Sequence, residues 1–149
     1  LISAPKSLTV TGPYRIEDNV LTDSIRFDLR NFQKFRNGII AFGQRVFYVG
    51  DKEPNKEGIM YSGDNGKTWE YLYSSEGYIN ANLKIVNDKI FLFKGQDMIH
   101  LDLDNGVQKG LNMTGLDAFI KDISFVAGKV IVGTDAGVYY KSWESFLNK

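Results

Sequence analysis

Short apolar segments alternate with turn-forming residues along most of the chain. The clearest segments are β-branched or aromatic and have about the length of a strand, at 39–41, 45–49, 89–93, 98–103 and 129–132. Residues of these types are enriched in β-strands, and a glycine or aspartate follows each segment closely. No long helix is evident. The pattern therefore predicts an all-β fold of short strands joined by tight turns.

Four connections carry residues that tolerate a positive φ angle. They are Asn37-Gly38, Asn87-Asp88, Asp104-Asn105-Gly106 and Ala127-Gly128. Residues of this kind between two apolar runs favour tight hairpins. We therefore expect an antiparallel pair of strands at each of these connections.

Alternation of apolar and polar residues is clearest in the segment 98–103. Ile99 and Leu101 fall on one face of the predicted strand, and His100 and Asp102 fall on the other. The alternation indicates a strand with one buried face and one face in water. His100 is accordingly expected to be solvated.

An internal repeat groups these segments into units. Two matches carry it: residues 58–62 with Trp69 match residues 137–142 with Trp143, and residues 83–93 match residues 123–132. The implied period of roughly 40 to 50 residues is typical of a propeller blade, in which each sheet packs on its neighbours. The repeat supports the strand prediction more strongly than composition does.

The predicted fold is a single β-propeller-type domain over residues 1–149. It contains about three four-stranded antiparallel blades, at approximately 31–74, 81–110 and 119–149, and residues 1–30 are less regular. Three blades cannot close a ring alone. We therefore expect a partial propeller, a piece of a larger one, or a ring completed by further copies of the chain.

Composition excludes several classes of function. Lys plus Arg equals Asp plus Glu, 18 against 18, so no overall charge draws the chain to nucleic acid. No segment approaches the ~20 apolar residues of a membrane helix, and no cysteine is present for disulfides or thiolate metal sites. The first residues carry neither a Met nor a signal-like pattern, so a processed product or an excised piece is expected.

One predicted hairpin carries a specific motif, Ser-x-Asp-x-Gly-x-Thr-Trp. Its residues are Ser62, Asp64, Gly66, Thr68 and Trp69. The aspartate can accept backbone N–H bonds across the turn, and the glycine can take a positive φ. The motif resembles the Asp box of sialidases and other bacterial neuraminidase-type (BNR) repeats. The resemblance implies a β-propeller, with the box as a turn-stabilising device between the third and fourth strands of a blade.

The spacing of the candidate residues argues against a phosphate-binding loop and against a metal site. Gly-Lys-Thr ends a phosphate loop, but that loop needs a glycine in place of Tyr61 and a helix after Thr68, where a strand is predicted. A calcium loop at 102–106 lacks the acidic spacing and the distal glutamate. His100 is the only histidine, which leaves no imidazole metal site. No metal and no cofactor are predicted.

A fragment of a sialidase-like glycoside hydrolase is the enzymatic alternative. The resemblance implies that such an enzyme needs an arginine cluster, a tyrosine nucleophile with a glutamate, and an aspartate acid/base. The resemblance also implies six blades, more than this chain provides. No catalytic residue is assigned. All five arginines lie in the first third of the chain, at Arg15, Arg26, Arg30, Arg36 and Arg45.

A non-enzymatic binding or scaffold module is the preferred hypothesis. Tyr71, Tyr73, Tyr139 and Tyr140 are the candidate binding residues, because aromatic rings stack on sugars and anchor protein partners. Packing between blades is the alternative role for these rings. The expected partner is a protein or a surface glycan, as in extracellular, cell-surface or phage adhesion proteins. Neither nucleic acid nor membrane insertion is expected.

Overall fold

The computed structural model describes residues 8–11, 16–17, 20–21, 26–46, 56–75, 78 and 80–148. Within these ranges the chain is all-β, with fourteen strands and one short helix. It divides into two compact units, Leu1–Ile79 and Asn80–Lys149, each of which is described by itself.

The first unit contains a five-stranded antiparallel sheet. Its strands are β1 (Leu8–Thr11), β4 (Arg26–Phe35), β5 (Gly38–Val46), β6 (Lys56–Ser62) and β7 (Glu70–Ser74), in the order β1-β4-β5-β6-β7. A small hairpin of β2 (Ile16–Glu17) and β3 (Val20–Leu21) lies between β1 and β4 in sequence. This first sheet reaches beyond the predicted unit 31–74, because β4 begins earlier and β1 pairs with it.

Strand β5 joins two segments that the sequence pattern separates, 39–41 and 45–49. Gly43 lies between them, and a Cβ atom there would collide with the carbonyl oxygen of Asp28 on β4. The glycine therefore permits a close approach of two paired backbones without ending the strand. Residues 47–49 of the second segment lie outside the described residues.

The second unit contains two antiparallel sheets and a helix. The second sheet has the order β11-β10-β9-β8, and the third has the order β12-β13-β14. Of the three sheets described, only the second has the four strands predicted for every unit. The bounds are β8 (Asn82–Val86), β9 (Lys89–Lys94), β10 (Asp97–Asp102), β11 (Val107–Gly110), β12 (Ile120–Val126), β13 (Lys129–Thr134), β14 (Val138–Ser142) and α1 (Trp143–Leu147).

The second and third sheets begin with the same type of hairpin. Asn87 and Asp88 connect β8 to β9 with φ angles of 48° and 56°, and Ala127 and Gly128 connect β12 to β13 with φ angles of 49° and 78°. Positive φ at both central residues is the requirement of a type I′ turn, whose twist matches that of the flanking strands. The hairpins predicted at these two connections are confirmed.

The second and third sheets share one hydrophobic core. The second sheet and the connection after it contribute Val86, Phe91, Phe93, Met98 and Leu111, and the third sheet with α1 contributes Ile120, Ile123, Val130, Val132 and Phe146. All ten side chains are buried. The two sheets are therefore packed face to face through their apolar side chains.

The third sheet leads into a helix where the first sheet has a hairpin. Ser142 is the N-cap of α1, and its side chain accepts a hydrogen bond from the backbone N–H of Ser145 at 3.3 Å. Trp143 then packs edge-on against Phe125, with ring centroids 5.0 Å apart. Among the described residues, no helix has the length and apolar character needed to cross a membrane.

Candidate functional site

The turn that carries the Ser-x-Asp-x-Gly-x-Thr-Trp motif connects β6 to β7, and Asp64 is its centre. Its Oδ1 atom accepts hydrogen bonds from the backbone N–H of Lys67 at 3.0 Å and of Thr68 at 2.9 Å, and from the Ser62 hydroxyl at 2.8 Å. Its Oδ2 atom accepts from the Thr68 hydroxyl at 2.6 Å. These donors, the Thr68 hydroxyl foremost, lower the pKa of Asp64 to about 2. Both carboxylate oxygens are thus engaged by the turn itself.

The rest of the turn is closed by its own residues. The Ser62 oxygen accepts a hydrogen bond from the Gly66 N–H at 2.8 Å, and the Trp69 indole N–H donates to the Gly66 carbonyl at 3.1 Å. Gly66 has a φ of 87°. The Trp69 ring is half-buried, and it meets the ring of Phe32 edge-on at 5.9 Å. The five motif residues therefore lie together in one turn that stabilises the hairpin.

The two candidate tyrosines of the first unit lie on β7. The Tyr71 hydroxyl donates to the carbonyl of Glu57 at 3.1 Å, and its ring packs on a core that contains Met60. Tyr73 is half-buried. Tyr71 therefore contributes to the packing of the first sheet.

The two candidate tyrosines of the second unit lie on opposite faces of β14. The Tyr139 hydroxyl donates to Asp117 Oδ1 at 3.2 Å, its ring packs on the shared core, and the hydrogen bond raises the pKa of Tyr139. Tyr140 points away from that core and is 69% exposed. Lys129 Nζ lies 4.9 Å from the centroid of the Tyr140 ring.

Tyr140 belongs to an exposed apolar surface, which we call the outer face of the third sheet. Its apolar residues are Val126, Ile131, Val138 and Tyr140, and the strand register places Ser124, Lys129 and Ser142 on the same face. Ile131 pairs in register with Tyr140. Val126 is 55% exposed and Val138 is 70% exposed. The sequence prediction included only Tyr140, since a valine on a short strand gives no sign of its exposure.

Lys141 is a further residue that the sequence did not single out. Its ammonium donates to the carbonyl of Asn112 at 3.2 Å, to Asn112 Oδ1 at 3.0 Å and to the carbonyl of Thr114 at 2.9 Å. It thereby ties the connection between the second and third sheets to β14. A pocket of about 70 Å³ beside it is lined mainly by apolar side chains, including Met113 and Phe146.

The prediction for His100 is wrong. The side chain is 6% exposed, and it lies against Phe91, with ring centroids 5.6 Å apart. Strand β10 is buried on both of its faces, so the alternation of polar and apolar residues does not indicate a solvent-exposed face there. Burial, followed by the charges of Lys89 and Lys109, lowers the pKa of His100.

The arginines relevant to the sialidase alternative are described only in part. The Arg30 guanidinium is paired with Glu57 at 3.0 Å, and it lies over the ring of Phe42. The Arg36 guanidinium lies over the ring of Phe35. The side chains of the other three arginines lie outside the described residues.

Neither a metal centre nor a relative defines the site. Among the described residues, no group of three or more His, Asp or Glu side chains is placed to hold a metal ion. A scan against models of protein families finds none that matches the chain. Searches of curated proteins and of solved structures also find no significant match. The site is therefore argued from the geometry alone.

Proposed function

We propose that the chain is a non-enzymatic binding or scaffold module of the Asp-box propeller type and that it recognises a protein partner. In this proposal the Asp box is structural, because its carboxylate is fully engaged within the turn. Recognition is assigned to the outer face of the third sheet. The Asp-box resemblance rests on the motif and on its position between β6 and β7.

Three features support the propeller arrangement. The sheets are small and antiparallel, and the second and third begin with equivalent hairpins. These two sheets pack face to face through a shared core. Their first strands are joined by an ion pair between Lys84 Nζ on β8 and Asp122 Oδ1 on β12, at 2.8 Å. Neighbouring first strands are what a radial arrangement of blades requires.

The exposure of Val138 and Tyr140 carries the proposal of recognition. Exposed apolar patches on a folded domain mark interaction sites when the residues are contiguous. A glycan would need polar groups beside the aromatic ring to bind its hydroxyls. On this face Tyr140 is flanked by Ile131 and Val138, and the polar groups near it are Lys129, over its ring, and Ser142. The exposed valines offer no hydrogen bond to a sugar, and they are the reason that a protein partner is preferred.

Photo-crosslinking tests this function directly. A photoreactive phenylalanine analogue replaces Tyr140 in one variant and the exposed Val107 of β11 in a control, and each is expressed in the source cells. We expect a discrete protein adduct from position 140 that is absent from position 107. An adduct pattern identical at both positions would contradict recognition through the outer face. Glycan binding that is lost on Tyr140→Ala would show that the partner is a sugar and not a protein.

The sialidase-like alternative has less support. Among the described arginines, Arg30 is paired with Glu57, whose carboxylate competes with a substrate carboxylate for the guanidinium. Turnover of a fluorogenic sialoside that disappears in Arg30→Ala would nevertheless establish that alternative. We expect no turnover.

A further inference from the structure

The second and third sheets match each other strand by strand. Val86 pairs with Lys89 across the first hairpin, as Val126 pairs with Lys129 across the second. The same offset along the chain makes β14 the counterpart of β10, residue for residue. The surroundings of these two strands can therefore be compared directly.

The two strands differ at the edge that faces away from the hairpin partner. β10 pairs with β9 on one side and with β11 on the other, so both of its edges are occupied. β14 pairs with β13 and is the last strand of its sheet, and the chain turns into α1 at Trp143. Among the described residues, the position equivalent to β11 therefore holds no strand in the third sheet.

Two backbone hydrogen bonds determine the pattern of the ladder between β13 and β14. At one end the Thr134 N–H donates to the Gly137 carbonyl at 2.9 Å, and at the other end the Trp143 N–H donates to the Gly128 carbonyl at 3.1 Å. Bonded and non-bonded pairs alternate along an antiparallel ladder. The residues of β14 that bond to β13 are therefore the odd-numbered ones.

The even-numbered residues direct their backbone groups away from β13, towards what we call the open edge of β14. Val138 and Tyr140 present two N–H and two C=O groups there, and these groups form no hydrogen bond in the described part of the chain. Their side chains are 70% and 69% exposed. A row of unpaired donors and acceptors along a strand is a template for pairing with another extended strand.

The apolar pocket of about 70 Å³ lies beside the open edge, on the core side of the third sheet. Its walls include Met113, Leu116 and Phe146. Tyr140 also borders it, and because the Tyr140 side chain lies on the opposite face, its backbone is the part that does so. The Lys141 ammonium ties one wall of the pocket to β14. The pocket therefore lies where an added strand would place a side chain.

We propose that β14 accepts an extended segment of the protein partner as a fourth strand, and that one small apolar side chain of this segment enters the pocket. The proposal rests on the function given above and names the form in which the partner is recognised. β11 is the precedent, since it occupies the equivalent edge of the second sheet. Backbone hydrogen bonds to Val138 and Tyr140 provide affinity, and the pocket provides sequence preference.

The pocket restricts the sequence of the added strand. An apolar cavity of about 150 Å³ holds benzene, so a pocket of about 70 Å³ accepts alanine or valine but not phenylalanine. Because side chains alternate along a strand, only residues opposite Tyr139 or Lys141 lie on the pocket side. Their neighbours lie beside Val138 and Tyr140 on the outer face. We therefore expect a small apolar residue flanked by apolar residues.

Selection of peptides tests the proposal. The probe is a phage library of random nine-residue peptides, selected on the immobilised natural chain. Val138→Pro removes an N–H of the open edge and leaves the bonds to β13 intact. Val138→Ala is the matched control, because it also loses the valine but keeps that N–H. We expect the selected peptides to carry alanine or valine at one position and to bind Val138→Pro at least tenfold more weakly than Val138→Ala.

Hydrogen exchange of the natural chain gives a second readout that needs no variant. In the free chain, the amide protons of Tyr139 and Lys141 should be protected, and those of Val138 and Tyr140 should exchange rapidly. A selected peptide should slow exchange at Val138 and Tyr140 at least tenfold. Strand addition is overturned if no peptide is selected, if peptides bind both variants equally, or if exchange at these two amides does not change. Unchanged circular dichroism and melting confirm that the variants are folded.

The photo-crosslinking experiment separates this proposal from the proposed function. If position 140 forms the same adduct in Val138→Pro as in Val138→Ala, recognition by the outer face stands and strand addition is wrong. If peptides bind as expected but position 140 forms no specific adduct, the edge accepts strands and recognition through the outer face fails. An adduct between two copies of the chain contradicts a separate partner. If neither a peptide nor an adduct is found, both proposals fail.

Discussion

Met98 and Val138 occupy equivalent positions in neighbouring sheets, yet Met98 is 4% exposed and Val138 is 70% exposed. The difference does not come from residue type, since both side chains are apolar. It arises because the third sheet packs over Met98 and no described residue packs over Val138. The second and third sheets therefore present the same kind of surface, which is covered in the second sheet and exposed in the third.

The stability that the Asp64 turn provides should depend on pH. The folded-state pKa of Asp64, about 2, is below its ordinary value of 3.8. Ionised Asp64 therefore stabilises the fold above pH 3.8, and this contribution disappears as the pH falls towards 2. Asp64→Asn should lower the melting temperature at about pH 6 and have much less effect at about pH 2. Thr68→Val removes the hydroxyl that lowers the pKa of Asp64 most, so its effect on the melting temperature should depend on pH in the same way. A melting difference that is constant with pH would contradict this account.

Two glycines of the same turn should respond differently to alanine. Gly66 has a φ of 87°, and an added Cβ would meet only Trp69 Cζ2, at 3.7 Å. The cost of Gly66→Ala is therefore conformational, about 1–2 kcal/mol in the free energy of unfolding. Gly63 has no positive φ, and its added Cβ would lie 3.6 Å from the Tyr61 ring, so Gly63→Ala should be nearly neutral. Urea denaturation of both variants measures the difference, and equal effects would rule out the conformational cause.

Trp69 should stabilise the first sheet less than a fully buried tryptophan would. A buried large side chain costs about 3–5 kcal/mol when it is replaced by alanine, and the Trp69 ring is only half-buried. We expect Trp69→Ala to cost about 2–3 kcal/mol. Trp69→Phe keeps most of the apolar contact but loses the hydrogen bond to Gly66, so it should cost about 1 kcal/mol. Denaturant titration measures both, and a Trp69→Ala variant as stable as the natural chain would contradict the packing described.

His100 gives a direct measure of burial in the second sheet. It is the only histidine, so a single imidazole resonance in proton NMR reports its titration. Burial and the nearby lysines lower its pKa, and we expect a value below the ordinary 6.5. Because the unfolded chain binds the proton more readily, the contribution of His100 to stability is lost as the pH falls below 6.5. Lys89→Met should raise the measured pKa while leaving it below 6.5. A pKa at or above 6.5 in the natural chain would show that the side chain is solvated.

Local structure could be predicted from the sequence where the chemistry is local. Asn87-Asp88 and Ala127-Gly128 predicted two hairpins, because residues that accept positive φ determine the turn without help from distant parts of the chain. The position of Asp64 within its turn follows from the same kind of short-range hydrogen bonding.

The environment of a residue could not be predicted in the same way. His100 occupies a polar position in an alternating pattern, but both faces of its strand are buried. Ser142 and Trp143 match Ser62 and Trp69, the first and last residues of the motif, yet without the aspartate and glycine between them the chain turns into a helix. The exposure of Val138 likewise depends on whether another sheet packs over it. Such outcomes are determined by tertiary contacts, which local patterns do not encode.

Accessibility of the outer face tests the central claim most directly. The chain has no cysteine, so Val138→Cys and the control Met98→Cys each introduce one thiol, at equivalent positions of the third and second sheets. Maleimide labelling of both variants is measured in the folded state and again in urea, where both thiols are accessible. We predict that position 138 is labelled in the folded state at nearly its rate in urea, and that position 98 is labelled roughly tenfold or more slowly than in urea. Protection of position 138 equal to that of position 98 would contradict an open outer face.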